Sequence, residues 1–232
     1  MVEPFMSAVE IPAKSPSIRE AILSTLRQNR IACLVLNLMV IGLVASYYLS
    51  PESRVVWEVI GGWKVRWSFG FSLISTILAA VFLPTLAQRA MGVAASADEA
   101  KRLAWSCIFW GYRGMEIDLF YRLQGHLFGQ GHDARTLLAK LVVDQFLYSA
   151  FWAIPLYLLF VRWIDLGQWR VVRKSLDRRF WTHTYPSVLF TNWLVWIPAV
   201  TLVYSLPAPL QFPLFSIILT FYVLLITVLA RA

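Results

Sequence analysis

Charge is scarce in this chain of 232 residues: Asp, Glu, Lys and Arg make up 15% of it, against 59% apolar or aromatic residues and a mean hydropathy of +0.62. A soluble domain carries about a quarter charged residues, because its core must be clothed in water-facing side chains. That shortage excludes an ordinary soluble fold, and with it disorder, a coiled coil and a collagen-like chain. Only two cysteines occur, Cys33 and Cys107, both inside apolar stretches, so they read as small buried hydrophobes and a secreted disulfide scaffold is excluded as well. Catalytic signatures are also missing: there is no G-x-S-x-G elbow, no H-E-x-x-H, no Gly-rich phosphate loop and no C-x-x-C. Without a nucleophile or metal constellation no enzyme and no cofactor is expected; an intramembrane acid or base at Asp118 or Asp144 is the weaker alternative. His126, His132 and Asp133 gather in one link, but their spacing fits no metal site and reads as polar loop.

What the sequence does have is long apolar runs. A hydrocarbon core of roughly 30 Å needs about 20 helical residues. Residues 31 to 49 and 68 to 88 carry no charge and end on Tyr47, Tyr48 and Trp67, aromatic side chains suited to the interface. Blocks 187 to 205 and 213 to 230 are equally clean, separated by a proline-rich turn. Blocks 103 to 124 and 137 to 161 are apolar but charged. The expected fold is therefore an all-α integral membrane protein, a bundle of about six transmembrane helices. Three regions follow: a segment 1 to 30, an extra helix and outer link 31 to 66, and a main bundle 67 to 232.

Basic residues test the orientation. Lys14, Arg19, Arg27, Arg30, Arg89, Lys101, Arg102, Arg162, Arg170, Arg173, Lys174, Arg178, Arg179 and Arg231 fall on one side of six spans. Arg54, Lys64, Arg66, Arg122 and Arg135 fall on the other. This bias predicts both termini on the cytoplasmic side, and it accounts for the net charge of +8 without nucleic acid. Pro12, Pro16, Glu3, Glu10 and Glu20 argue against a presequence ahead of the first block, so a bacterial inner membrane is expected, with a mitochondrial inner or peroxisomal membrane as alternative. Residues 162 to 181 read as a basic interfacial helix, with Trp169, Val172, Leu176 and Phe180 on one stripe and Arg170, Arg173, Lys174 and Arg178 facing anionic lipid on the cytoplasmic side; an ordinary basic loop is the alternative.

Ionisable groups inside the spans carry the functional expectation. Each costs about 2.5 to 3.5 kcal/mol at a helix centre on insertion scales, so such groups normally face a bundle interior or a wet cavity. Arg113 and Glu116 share one face of the third span, with Asp118 and Arg122 nearly opposite, which predicts a central helix without a broad lipid face. Lys140, Asp144 and Tyr148 follow at i, i+4 on the fourth, bordered by Gln145. Ser and Thr stripes on the other spans either line a hydrophilic route or let helices approach.

The K-x-x-x-D-Q of Lys140, Asp144 and Gln145 resembles the hallmark of the family of the twenty-two-kilodalton peroxisomal membrane protein and the mitochondrial protein Mpv-seventeen. Gln88 closing T-L-A-Q, the run Gly114 to Arg122, and N-W-L-V-W-I-P with Asn192, Trp193, Trp196 and Pro198 resemble further family elements in the same order. Met115, Asp118 and Ala150 depart from it, as a distant, bacterial relative would. The resemblance implies a weakly selective channel or facilitator for small solutes in a lipid bilayer. By it Lys140, Asp144 and Gln145 belong to the pathway or its gate, joined on physical grounds by Arg113, Glu116, Asp118 and Tyr148, while Asn192, Trp193, Trp196 and Pro198 hold helices together. A non-conducting scaffold or lipid-interacting protein is the alternative, and homo-oligomerisation stays open.

Overall fold

The computed structural model describes residues 18–229, all of its regular structure helical. Eight helices follow in order: α1 (Ile18–Leu49), α2 (Pro51–Trp67), α3 (Phe69–Ala90), α4 (Glu99–Phe128), α5 (Ala134–Leu166), α6 (Trp169–Ser175), α7 (Phe180–Tyr204) and α8 (Ala208–Leu229). Among the described residues, α3, α5, α7 and α8 up to Leu225 are long and apolar enough to cross a membrane. A fifth span arises if α1 and α2 are taken together across their 103° bend. The expected span 103 to 124 does form a helix, α4, but its charges keep it out of that apolar group.

The bend between α1 and α2 has a local cause. Pro51 pushes Ser50 into the extended region (φ −118°, ψ 115°), and the Ser50 hydroxyl accepts from the Ser53 amide, capping a new helix. Trp57 Nε1 donates to Ser46 Oγ at 3.1 Å and Tyr48 Oη to the Ser205 carbonyl at 2.5 Å, which fixes the elbow. The link that the sequence presents as an outer loop is thus a helix laid across α8, where Gly61 meets Leu210. Above it, Val40 and Val44 of α1 join Val195, Ala199 and Val203 of α7 in the main core.

Proline shapes three of the long helices. A proline lacks an amide hydrogen and its ring collides with the carbonyl four residues back. Ahead of Pro84, Pro155 and Pro186 the helix widens to i→i+5 bonding, over Leu78–Phe82, Val143–Ala153 and Phe180–Thr184. In α5 the widened stretch carries Asp144, Gln145 and Tyr148, so the i, i+4 stripe read from sequence is opened: Asp144 turns to α7 and Tyr148 to α4.

Two expectations are corrected. First, α4 has a lipid-type face after all: Trp105, Ile108, Tyr112, Leu119 and Leu123 form an exposed apolar row, while Arg113 and Asp118 turn inward. Arg113 and Asp118 can turn inward because α2, α3 and α5 supply partners there, while Arg122 stays exposed. Second, residues 162 to 181 are not one helix. Gly167 at φ +67° ends α5, α6 is a separate short helix, and Asp177 Oδ1 accepts from the Phe180 amide to start α7. Val172 is fully buried, while Arg170, Arg173, Lys174 and Arg178 are exposed.

α3 and α4 approach closely because Gly111 and Gly114 face Ser72, Thr76 and Ile77. A Cβ on Gly114 would lie 2.4 Å from the Ser72 carbonyl oxygen, and Thr76 Oγ1 donates across the seam to the Trp110 carbonyl at 2.9 Å. Gly114→Ala is therefore predicted to cost about 1–3 kcal/mol through overpacking. Gly62→Ala, where nothing lies within 4 Å, should be neutral or slightly stabilising. Thermal unfolding of the two variants in detergent checks the contrast; equal melting temperatures would refute the close seam.

Candidate functional site

Buried charge falls into separate clusters. In the first, Asp118 of α4 accepts from Lys64 Nζ of α2 at 2.9 Å, from Ser72 Oγ of α3 at 2.9 Å and from Arg122 Nε and Nη2 at 3.2 Å each. Arg122 Nη2 also donates to Ser68 Oγ at 2.8 Å, and its guanidinium lies over the Phe69 ring. Ser68 itself holds a left-handed φ of +48°, a conformation that costs about 1–3 kcal/mol unless the surroundings impose it. Here the Lys64 ammonium donates to its carbonyl. The cluster joins α2, α3 and α4 at one end of the bundle.

The second cluster centres on Glu116. Both its oxygens accept from Arg113 Nη1 at 2.8 Å, and Oε1 also accepts from Tyr148 Oη at 2.8 Å and Trp152 Nε1 at 2.6 Å. Phe120 stacks on Tyr148 at 4.1 Å. The third centres on Asp144, where Oδ2 accepts from Tyr204 Oη at 2.5 Å and Oδ1 from Gln145 Nε2 at 2.8 Å. Gln124 Nε2 extends the network to Tyr204 Oη at 2.8 Å and to the Lys140 carbonyl at 3.2 Å. Lys140 is 1% exposed, lies over the Tyr204 ring, and forms no ion pair among the described residues. Neither Lys140 nor Asp144 meets a charge of α4: a tyrosine of α7 serves the carboxylate instead.

Between α4, α5, α7 and α8 lies a cavity of ≈ 200 Å³, room for several waters or a small organic molecule. Arg113, Asp144, Gln145, Tyr148, Ser149 and Asn192 supply its polar wall. Trp110, Tyr157, Phe160, Trp196 and Tyr222 supply much of the rest. It runs along α4 from Ser106 to Tyr121, about 22 Å at 1.5 Å per residue. Towards the Asp144 end it is closed: Gln124, Lys140, Tyr204 and Phe212 come next on the four helices, and each is 1% exposed.

Of the residues singled out in the sequence, Arg113, Asp144, Gln145, Tyr148, Asn192 and Trp196 share this cavity wall. Glu116 and Asp118 are not in the wall: Glu116 holds Arg113, and Asp118 faces α2 and α3. Trp193 Nε1 donates to the Gln145 carbonyl at 2.9 Å and Asn192 Nδ2 reaches Gln145 Oε1 at 3.4 Å, so both tie α7 to α5. Pro198 is exposed within α7. Outside the cavity, His126 and His132 are exposed, and Asp133 caps α5 through the Thr136 hydroxyl and amide, which hold its carboxyl below the usual carboxylate range. Tyr204, Gln124 and Lys64 were missed. Each looks ordinary in its own segment, and its partner is 16 to 80 residues away.

Asp118→Asn is predicted to cost about 3–5 kcal/mol, because it strands a buried ammonium. Lys64→Met should cost less, since Ser72 and Arg122 still serve the carboxylate. A double-mutant cycle in detergent should show coupling of about 0.5–3 kcal/mol; additive losses would mean that the contact contributes nothing.

No family model, no curated protein and no solved structure matches the chain.

Proposed function

We propose that this chain is a multi-pass membrane protein that passes small solutes through the cavity between α4, α5, α7 and α8, as a weakly selective channel or facilitator. The observation that carries the reading is the cavity itself, whose wall combines Arg113 and Asp144 with uncharged polar and aromatic groups from four helices. An apolar bundle held only by packing has no need of a space that size. Six spans, α1, α3, α4, α5, α7 and α8, fit this reading, with α2 lying along the outer surface and both termini cytoplasmic. The exposed apolar row of α4 supports its membership despite its charges. So does depth: Arg113 lies about 13 Å along the helix from the snorkelling Arg122, near the middle of a core roughly 30 Å thick. The resemblance to the peroxisomal and mitochondrial family, and the basic side expected to face the cytoplasm of a bacterial cell, point the same way.

In this reading the closed end is a gate. Tyr204 donates to Asp144, accepts from Gln124 and lies beneath Lys140, so one aromatic side chain holds three helices together where the cavity stops. Removing its ring opens the space beyond. A second, non-conducting reading, as a scaffold for anionic lipid, rests on the exposed Arg170, Arg173, Lys174 and Arg178 around buried Val172.

Flux of graded uncharged solutes out of liposomes tests the proposal. Wild-type protein should release small solutes with a size cutoff, Tyr204→Ala should raise the rate several-fold, and Lys140→Met and Asp144→Asn should alter it. Rates equal to protein-free liposomes for wild type and Tyr204→Ala alike, from protein of normal circular dichroism, would overturn it; co-purifying anionic lipid would then favour the scaffold.

A further inference from the structure

The cavity wall contains one charged group whose hydrogen-bonding capacity is largely unused. Arg113 is 6% exposed, and Glu116 engages only its Nη1. Nε and Nη2 have no hydrogen-bond partner among the described residues, and the side chain forms part of the cavity wall. Burying a guanidinium is costly unless its donors are met. Its orientation is nonetheless fixed. Glu116 is anchored by Tyr148 Oη and Trp152 Nε1, and the guanidinium lies over the Tyr148 ring, 5.6 Å from its centre. Glu116 thus acts as a brace that holds one end of the fork while the Nε and Nη2 edge stays free.

That edge presents two parallel N–H bonds at the spacing of two carboxylate oxygens, the geometry that makes arginine a bidentate receptor. The opposite demand, for a cation, is weaker, because both oxygens of Asp144 already accept hydrogen bonds. Asp144 also limits the negative charge the space can take, which disfavours phosphate and dicarboxylates. Away from Arg113 the wall is aromatic, with Trp110, Phe160 and Tyr222, and Phe160 is itself held by stacking on Phe109 at 3.8 Å.

We propose that the cavity binds a small amphipathic monocarboxylate, its two oxygens on Arg113 Nε and Nη2 and its apolar body against Trp110, Phe160 and Tyr222. This deepens the solute-passing reading and rests on it for the use of the site, while the binding itself is separately testable.

The test is calorimetric titration of the full-length chain in detergent with phenylacetate, phenylacetamide and phenethylamine, which share a shape and differ in head group. Phenylacetate should bind about ten- to a hundredfold more tightly than the amide, the worth of a charge-assisted pair, and the amine should not compete. Arg113→Lys, which keeps the charge and loses the fork, should shrink that preference, and Arg113→Gln, which loses both, should abolish it. Equal affinity for acid and amide in the wild-type protein, preference for the amine, or no binding of phenylacetate would overturn the proposal without recourse to any variant. Carboxylate binding without liposome flux would defeat the transport reading and leave this one standing; flux of uncharged solutes without carboxylate preference would do the reverse.

Discussion

A charge placed inside an apolar bundle has to find donors or acceptors there, and that requirement organises this molecule. Asp118, Glu116 and Asp144 each draw side chains from two or three helices. Asp118 brings α2 and α3 to α4, Glu116 brings α5 to α4, and Asp144 brings α7 to α5. The apolar surfaces between these points are interchangeable in kind, since one leucine face resembles another to lipid and to protein alike. Polar contacts therefore fix which helix lies beside which, and in what rotation.

The second constraint is proline. Three prolines widen three helices just ahead of themselves, and the longest widening falls on the stretch of α5 that holds Asp144, Gln145 and Tyr148. In a regular helix those side chains would stack as one stripe. Once the turn is widened, they diverge, one to Tyr204 and one to Glu116, and the space between the diverging groups is part of the cavity wall. Glycine acts in the opposite sense on α4, where Gly114 lets the backbone of α3 approach. The tight seam and the cavity therefore occupy neighbouring flanks of α4, with its exposed apolar row on the remaining side.

Much of this was readable from local pattern. Apolar runs and interfacial aromatics marked out the helices, because a helix satisfies its own backbone and needs only its own residues; α1 nonetheless begins at Ile18, ahead of the run at 31, and α8 begins at Ala208, within the expected proline-rich turn. The charged positions of α4 and α5 stood out for the same reason: an isolated charge in an apolar run is conspicuous without any knowledge of its partner. The 103° elbow after α1 was less visible, since Ser50 and Pro51 resemble an ordinary link, and residues 162 to 181 carried a helical stripe that Gly167 and Asp177 interrupt.

The chain's own order of residues determined that it is helical and apolar, where its charges sit, and where its helices can widen or turn. Those properties depend on neighbours within a few residues, through hydrogen bonds and side-chain sterics that act over one turn. Only the tertiary structure decided that Lys64 answers Asp118, that Tyr204 rather than Lys140 answers Asp144, and that Glu116 engages a single nitrogen of Arg113 in a cavity wall. Partners separated by 54 or 60 residues leave no mark on local composition; their pairing follows from how whole helices rotate to bury charge, which is a property of the assembled bundle.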